Sequence, residues 1–228
     1  MIDLPANWKS EIQNIDWSKV KAAVADYGPA LEVVKGTWSK ETLAEIADGK
    51  LFVPDSVIND AIAKRLADSK SDNVESVTLA SKANGRLEID AATKSVGKIK
   101  LSGDIEEFVH SGDKSYIVYH VRERSLPDHG LMSWIFSRVS LSMVEKMLGR
   151  IELSDDLPLK IGHHNRITLD YSQVLANSDF GKTTYQGHRL LDMIEIKGAV
   201  PKDGGIEFQT ELNIPDDVQA ALKALVTD

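Results

Sequence analysis

The chain has 228 residues, no cysteine and a formal net charge of −8 at pH 7, with 42% hydrophobic and 27% charged residues. This length and composition are typical of a globular protein that can bury a sizeable core. The acidic balance and the lack of any Lys/Arg block argue against a nucleic-acid partner, because a phosphate-binding surface needs clustered cations. The lack of cysteine excludes disulfides, thiolate nucleophiles and cysteine-based metal centres, and no motif predicts a cofactor.

Residues 1–50 predict a polar, amphipathic helical arm, distinct from a single main domain of residues 51–228. Asp16 or Ser18 can cap its first helix, which Gly28-Pro29 ends. Three of the four tryptophans lie in this arm and are expected to anchor it by apolar contact. The arm lacks the basic and apolar segments of a signal peptide, so we expect a cytoplasmic protein, or an exported one whose signal peptide has been removed.

A helix and a series of strands are predicted after the arm. Apolar residues recur at helical spacing over Ser56–Ala67. The period then changes to two, with breaks at Asn84-Gly85, Gly97 and Ser111–Asp113. This alternation predicts an antiparallel meander with one dry and one wet face. The expected dry face comprises Val77, Leu79, Leu87, Ile89, Ile99, Leu101, Ile117, Tyr119 and Val121.

The most apolar stretch of the chain is Leu131–Gly149, and it predicts a central helix that Gly149 ends. On a helix it would present two apolar stripes, which implies contact on two sides. Either it is a buried core helix, or it lines an apolar cavity in which methionines supply adaptable packing. A membrane span is not expected, because the stretch contains Arg138, Glu145 and Lys146. The two stripes comprise Met132, Phe136, Val139, Met143 and Met147, and Trp134, Leu141 and Leu148.

The alternating pattern returns after this stretch. Lys202–Gly205 predicts a hairpin turn, and the irregular Ser172–His188 segment predicts a loop or short helix. A terminal helix is expected to begin at Asn213–Asp216. The candidate strands are Ile151–Leu153, Leu157–Ile161, Ile167–Tyr171, Met193–Lys197 and Ile206–Leu212.

The sequence contains candidate polar sites but no recognisable catalytic motif. Adjacent His163 and His164 would point to opposite faces of a strand, so we interpret them as a surface turn rather than a metal site. Asp128-His129 could be an acid–base couple or a turn that caps a helix, and the turn is favoured. The acidic cluster of Asp104, Glu106 and Glu107 predicts a solvated strand edge. No Gly-x-Ser-x-Gly elbow is present, and an enzyme is therefore the less favoured interpretation.

The order of these elements resembles the bacterial tubular lipid-binding (TULIP-like) domains. The resemblance covers Val53–Pro215: a leading helix, a long meander, the central helix, the segment Asn165–Tyr171 and two closing strands. It implies an α+β fold in which a curved antiparallel sheet wraps around a central amphipathic helix. It also implies an apolar groove for a lipid. The helical N-terminal arm is not part of this pattern.

These features predict a non-enzymatic module that binds a lipid or another apolar small molecule between the sheet and the central helix. The alternative is a scaffold protein that forms homo-oligomers through the same helix. A hydrolase that uses Asp128 and His129 is a third hypothesis. The expected ligand-binding residues are Trp134, Phe136, Val139, Met143 and Met147 on the helix, and Ile117, Tyr119 and Val121 on the sheet.

Overall fold

A computed structural model describes residues 45–46, 48–68, 74–128, 133, 137–138, 141 and 158–218. Residues 1–44 of the predicted arm, most of the central stretch and all but the first turn of the terminal helix lie outside these described residues. Most of the described residues lie in strands. The strands are β1 (Lys50–Pro54), β2 (Val74–Ser81), β3 (Leu87–Thr93), β4 (Gly97–Ser111), β5 (Lys114–Ser125), β6 (Leu159–Ile161), β7 (Arg166–Asp170), β8 (Thr184–Tyr185), β9 (His188–Arg189), β10 (Ile194–Lys202) and β11 (Gly205–Leu212). The helices are α1 (Asp55–Asp68), α2 (Ser172–Asn177) and α3 (Asp179–Lys182).

Nine of these strands form one antiparallel sheet, which divides at β4. One edge of β4 pairs with β5, from Lys100 to Ser111. Its other edge pairs with β3 over Gly97–Gly103 and with β10 at His110. The sheet therefore has two arms beyond β4, one formed by β3 and β2 and the other by β10, β11 and β1. On the far side of β5 it continues through β7 to β6.

The hairpin turns fall where the sequence predicts them. Gly112 begins the β4–β5 turn with a φ of 57°, and Gly204 lies in the β10–β11 turn with a φ of 75°. A side chain at either position would be strained in this left-handed region, which explains why glycine interrupts the alternating pattern there. The predicted hairpin at Lys202–Gly205 is confirmed, as are the meander strands and the leading helix.

Helix α1 covers the outer edge of β2, and polar side chains of the helix take the place of a neighbouring strand there. The Asn59 amide oxygen accepts from the Leu79 N–H at 2.7 Å, and its nitrogen donates to the Leu79 carbonyl at 2.9 Å. The Asp55 carboxylate accepts from the Ser81 N–H and hydroxyl at 2.7 and 2.6 Å. Four residues of helix rise about 6 Å and two residues of strand about 6.8 Å. Because these lengths are similar, two side chains one helical turn apart reach alternate residues of the strand.

The main core lies on the inner face of the sheet. Its buried residues come from both arms and from β5, and Leu141 of the central stretch packs among them. The Tyr119 hydroxyl donates to the Leu87 carbonyl at 2.7 Å, and burial raises the Tyr119 pKa. The buried members of this cluster are Leu87, Tyr119, Val121, Leu141, Ala199, Ile206 and Phe208.

The expected fold, a curved sheet wrapped around a long central helix, is wrong. The described residues are mostly antiparallel sheet, their three helices are short, and no long central helix is found among them. The physical reason lies in the core: side chains from the two arms pack against each other, so the strands themselves supply most of the buried surface. Of the central stretch, Ser133, Ser137, Arg138 and Leu141 are described, and each has helical conformation.

Removing the Asn59 side chain tests the attachment of α1 to β2. We expect Asn59→Ala to lower the free energy of unfolding by about 1–3 kcal/mol, because the N–H and carbonyl of Leu79 both lose their partner. Urea denaturation followed by tryptophan fluorescence would measure the loss. Asp60→Ala, at an exposed position of the same helix, is the control and should change stability little. Equal effects of the two substitutions would show that the amide contacts do not stabilise the fold.

Candidate functional site

Two rows of apolar side chains cross four strands on the inner face of the sheet. Residues that are directly opposite in an antiparallel ladder project from the same face. Register therefore aligns one row from β6 to β4 and a second row beside it; we call these the apolar rows. The first comprises Leu159, Leu169, Ile117 and Phe108, and the second comprises Ile161, Ile167, Tyr119 and Ile105.

The apolar rows are only partly covered. Tyr119 is buried, whereas the other seven side chains are half-buried. Aromatic contacts fix the end of the first row: the Phe108 ring centroid lies 5.0 Å from that of Phe208, edge to face, and 5.7 Å from that of Tyr171. The Tyr171 hydroxyl donates to the Val109 carbonyl, and burial raises the Tyr171 pKa. The rows thus combine a rigid frame with accessible apolar surface.

The structure brings some of the predicted ligand-binding residues together. Ile117 and Tyr119 belong to the apolar rows, and Val121 is buried next to them along β5. The predicted helix residues Trp134, Phe136, Val139, Met143 and Met147 lie outside the described residues. Hydrogen bonds join the central stretch to segments next to β5 and β7: Ser133 Oγ accepts from the Leu126 N–H, and Asn165 Oδ1 accepts from the Leu141 N–H.

A buried pair of polar side chains continues the apolar rows toward the β4–β5 turn. His110 and Ser115 are directly opposite each other, two residues beyond Phe108 and Ile117 on the same face. His110 Nδ1 lies 2.7 Å from Ser115 Oγ, and Nε2 lies 2.9 Å from the Leu191 carbonyl oxygen. Since a carbonyl can only accept, Nε2 donates to it. In the neutral imidazole Nδ1 therefore accepts the hydroxyl proton of Ser115.

A cavity of about 170 Å³ adjoins this pair. Ser115 and Leu191 form part of its wall, and α2 forms another part through Ser172, Gln173 and Ala176. The Ser172 hydroxyl accepts from the Ser115 N–H at 2.8 Å and donates to the Ser115 carbonyl at 3.2 Å. The remaining lining residues, Gly112 and Asp113, form the β4–β5 turn.

The outer face of the same strands carries paired charges. Two β-bulges in the β4–β5 ladder place Glu106 and Arg122 on this face. Arg166 of β7 binds both Glu106 carboxylate oxygens, and His120 Nδ1 lies 2.8 Å from one of them. The hydrogen bond from Arg166 is the main cause that lowers the Glu106 pKa. Arg122 pairs with Asp104 at 2.6 Å.

The other polar candidates do not form a site in the described part of the chain. His163 and His164 are exposed in a short 3₁₀ turn, so the prediction of a surface turn is confirmed. Asp128 is exposed, and its neighbour His129 lies outside the described residues. In the predicted acidic cluster Glu106 and Glu107 are exposed, and Asp104 and Glu106 also make ion pairs. Within the described ranges no three His, Asp or Glu side chains are placed to hold a metal ion. No described helix is long and apolar enough to cross a membrane.

Comparison with protein families, with curated proteins and with solved structures gave no match. The site that sequence reasoning missed is the His110–Ser115 pair. Its two residues are five positions apart, across a turn, in a spacing that matches no catalytic motif. Only the alternation of β5, which places Ser115 on the same face as Ile117 and Tyr119, could have indicated an inward hydroxyl.

Loss of the Ser115 hydroxyl should destabilise the protein. In Ser115→Ala, the Nδ1 atom of buried His110 loses its partner, which costs about 1–3 kcal/mol of unfolding free energy. Chemical denaturation would measure this difference. Ser76→Ala, at an exposed position of β2, serves as a control that should stay within about 0.5 kcal/mol of the parent. An unchanged denaturation midpoint in Ser115→Ala would mean that His110 Nδ1 has another hydrogen-bond partner.

The Glu106 pair should stabilise the protein in a pH-dependent way. Because the folded protein lowers the Glu106 pKa, this stabilisation is present above the unfolded value of 4.5 and is lost as pH falls through the lower, folded value. We expect Glu106→Gln to lower the urea midpoint at pH 7 and to approach the parent at pH 3. Glu75→Gln, at an exposed position of β2, is the control, and its difference in urea midpoint from the parent should not shrink between pH 7 and pH 3. A difference that stays constant with pH would contradict the assignment.

Proposed function

We propose that the protein binds an apolar ligand, such as a lipid acyl chain, on the apolar rows. One observation carries this proposal: seven of the eight side chains in the rows retain accessible surface although they form a continuous apolar face. Apolar surface of this kind on a rigid frame is a common feature of binding sites. Apart from Leu141, the proposal requires no contribution from residues of the central stretch.

The dimensions of the apolar rows favour a narrow ligand over a partner chain. Four strands and two rows cover about 19 Å by 13 Å, roughly 250 Å². A stable dimer needs about 800 Å² from each partner. The rows alone are therefore too small for the oligomerisation that the sequence offers as an alternative, whereas one acyl chain fits along them.

The expected affinity follows from the length of chain that the rows can cover. Burial contributes about 0.8 kcal/mol per CH₂, so ten methylenes supply on the order of 8 kcal/mol. This free energy corresponds to a Kd of about 1 μM, as an upper limit of affinity because ordering of the chain opposes binding. A titration should therefore cover the micromolar range.

A fluorescent fatty-acyl probe tests the proposal on delipidated protein. We expect saturable binding to the parent and a several-fold weaker Kd for Ile167→Ser, which removes apolar surface from the second row. Thr168→Ser changes the next residue, whose side chain projects from the opposite face, and should bind as the parent does. Absence of saturable binding to the parent would refute the proposal. If the parent is a dimer that takes up no probe, and the Ile167→Ser variant is a monomer, the result would instead support the scaffold alternative.

A further inference from the structure

We propose that Ser115 is a nucleophile toward acyl esters, with His110 as its general base. This activity goes beyond ligand binding, and it rests on the proposed function in one respect: the apolar rows would hold the acyl chain of the substrate. The observation behind it is the juxtaposition of three features at one end of the sheet. These are the apolar rows, the hydrogen-bonded Ser–His pair that continues them, and the cavity that Ser115 lines.

The pair meets the geometric requirement for an activated serine. A nucleophile must be in hydrogen-bond contact with a base, and a third group must orient that base. Ser115 Oγ and His110 Nδ1 are 2.7 Å apart, and the Leu191 carbonyl holds Nε2 at 2.9 Å. This carbonyl selects the tautomer whose free lone pair is on Nδ1, facing the hydroxyl. It would also stabilise the imidazolium that forms when His110 takes the proton.

The reaction is a two-step acyl transfer with water as the second substrate. Ser115 Oγ bonds to the ester carbonyl carbon while its proton moves to His110 Nδ1. The bond from that carbon to the leaving alkoxide then breaks, and the alkoxide takes the proton from Nδ1. Water attacks the acyl-serine, gives a proton to Nδ1, and Ser115 Oγ leaves with that proton. The products are a carboxylic acid and an alcohol.

The cavity determines which esters can reach the pair. Ser115 is 2% exposed and His110 is 3% exposed, and of the two only Ser115 lines the cavity, so the ester would approach Ser115 from the cavity. A volume of about 170 Å³ accommodates a small carbonyl-bearing group, since an apolar cavity of about 150 Å³ binds benzene. The substrate class is therefore an ester of a small alcohol with an unbranched acyl chain.

Labelling of the parent protein with ethyl fluorophosphonate tests the nucleophile directly. Ser115 Oγ would displace fluoride from phosphorus, and intact-protein mass spectrometry would show one adduct, which peptide mapping would locate on Ser115. His110→Gln should slow labelling at least 100-fold, as expected for loss of a general base. No adduct on the folded parent, or an adduct on another serine, would overturn the proposal.

Two substitutions on α2 provide a matched pair that does not touch the Ser–His contact. Ala176 and the next residue, Asn177, are both exposed, but only Ala176 lines the cavity. Ala176→Phe should reduce labelling at least tenfold, and Asn177→Phe should label as the parent does. Equal labelling of both variants would overturn access through the cavity, and with it the proposal. The fatty-acyl probe separates the two hypotheses: binding without an adduct rejects only the nucleophile, and an adduct without binding rejects only the apolar-ligand function.

Discussion

The pairing of β4 on both of its edges is the constraint on which the rest of the structure depends. Its β5 edge is continuous but for two bulges, whereas its other edge is shared by β3 and β10. A strand whose two halves have different neighbours forces the sheet to divide. Bulges increase the local twist of a ladder, which helps the two arms to curve toward one another. Their inner faces can then form one core.

The outer edge of β2 pairs with no described strand, which explains why α1 makes polar contacts there. An unpaired strand edge exposes backbone N–H and carbonyl groups and invites pairing with another chain. Asp55 and Asn59 satisfy three such groups on β2, the two of Leu79 and the N–H of Ser81. None of the described side chains of α1 is fully buried, so these hydrogen bonds contribute strongly to its attachment. The helix therefore protects the edge of β2 as well as covering apolar surface.

The sequence predicts local features of this fold better than its long-range organisation. Alternation identifies β2, β3, β5 and β11, and glycine with polar neighbours identifies the Gly112 and Gly204 turns, because both signals depend on residues close in the chain. The division of β4 depends on contact between His110 and Ile196, which no local pattern encodes. The prediction of a long central helix is wrong because an apolar stretch indicates burial without indicating which element covers it. Leu141 is indeed buried, but among strand residues.

The Ser–His pair shows how two buried polar side chains are accommodated at the end of an apolar face. A buried polar group without a partner costs several kcal/mol, so selection for stability alone favours apolar residues there. Here each polar atom of the pair has one partner: Oγ with Nδ1, and Nε2 with the Leu191 carbonyl. The two contacts also join the β4–β5 hairpin to Leu191, which is 81 positions from His110 in the sequence. An apolar pair of the same size could fill this space but could not orient a proton. The arrangement therefore supplies both a cross-link in the fold and a base held in one tautomer beside a cavity.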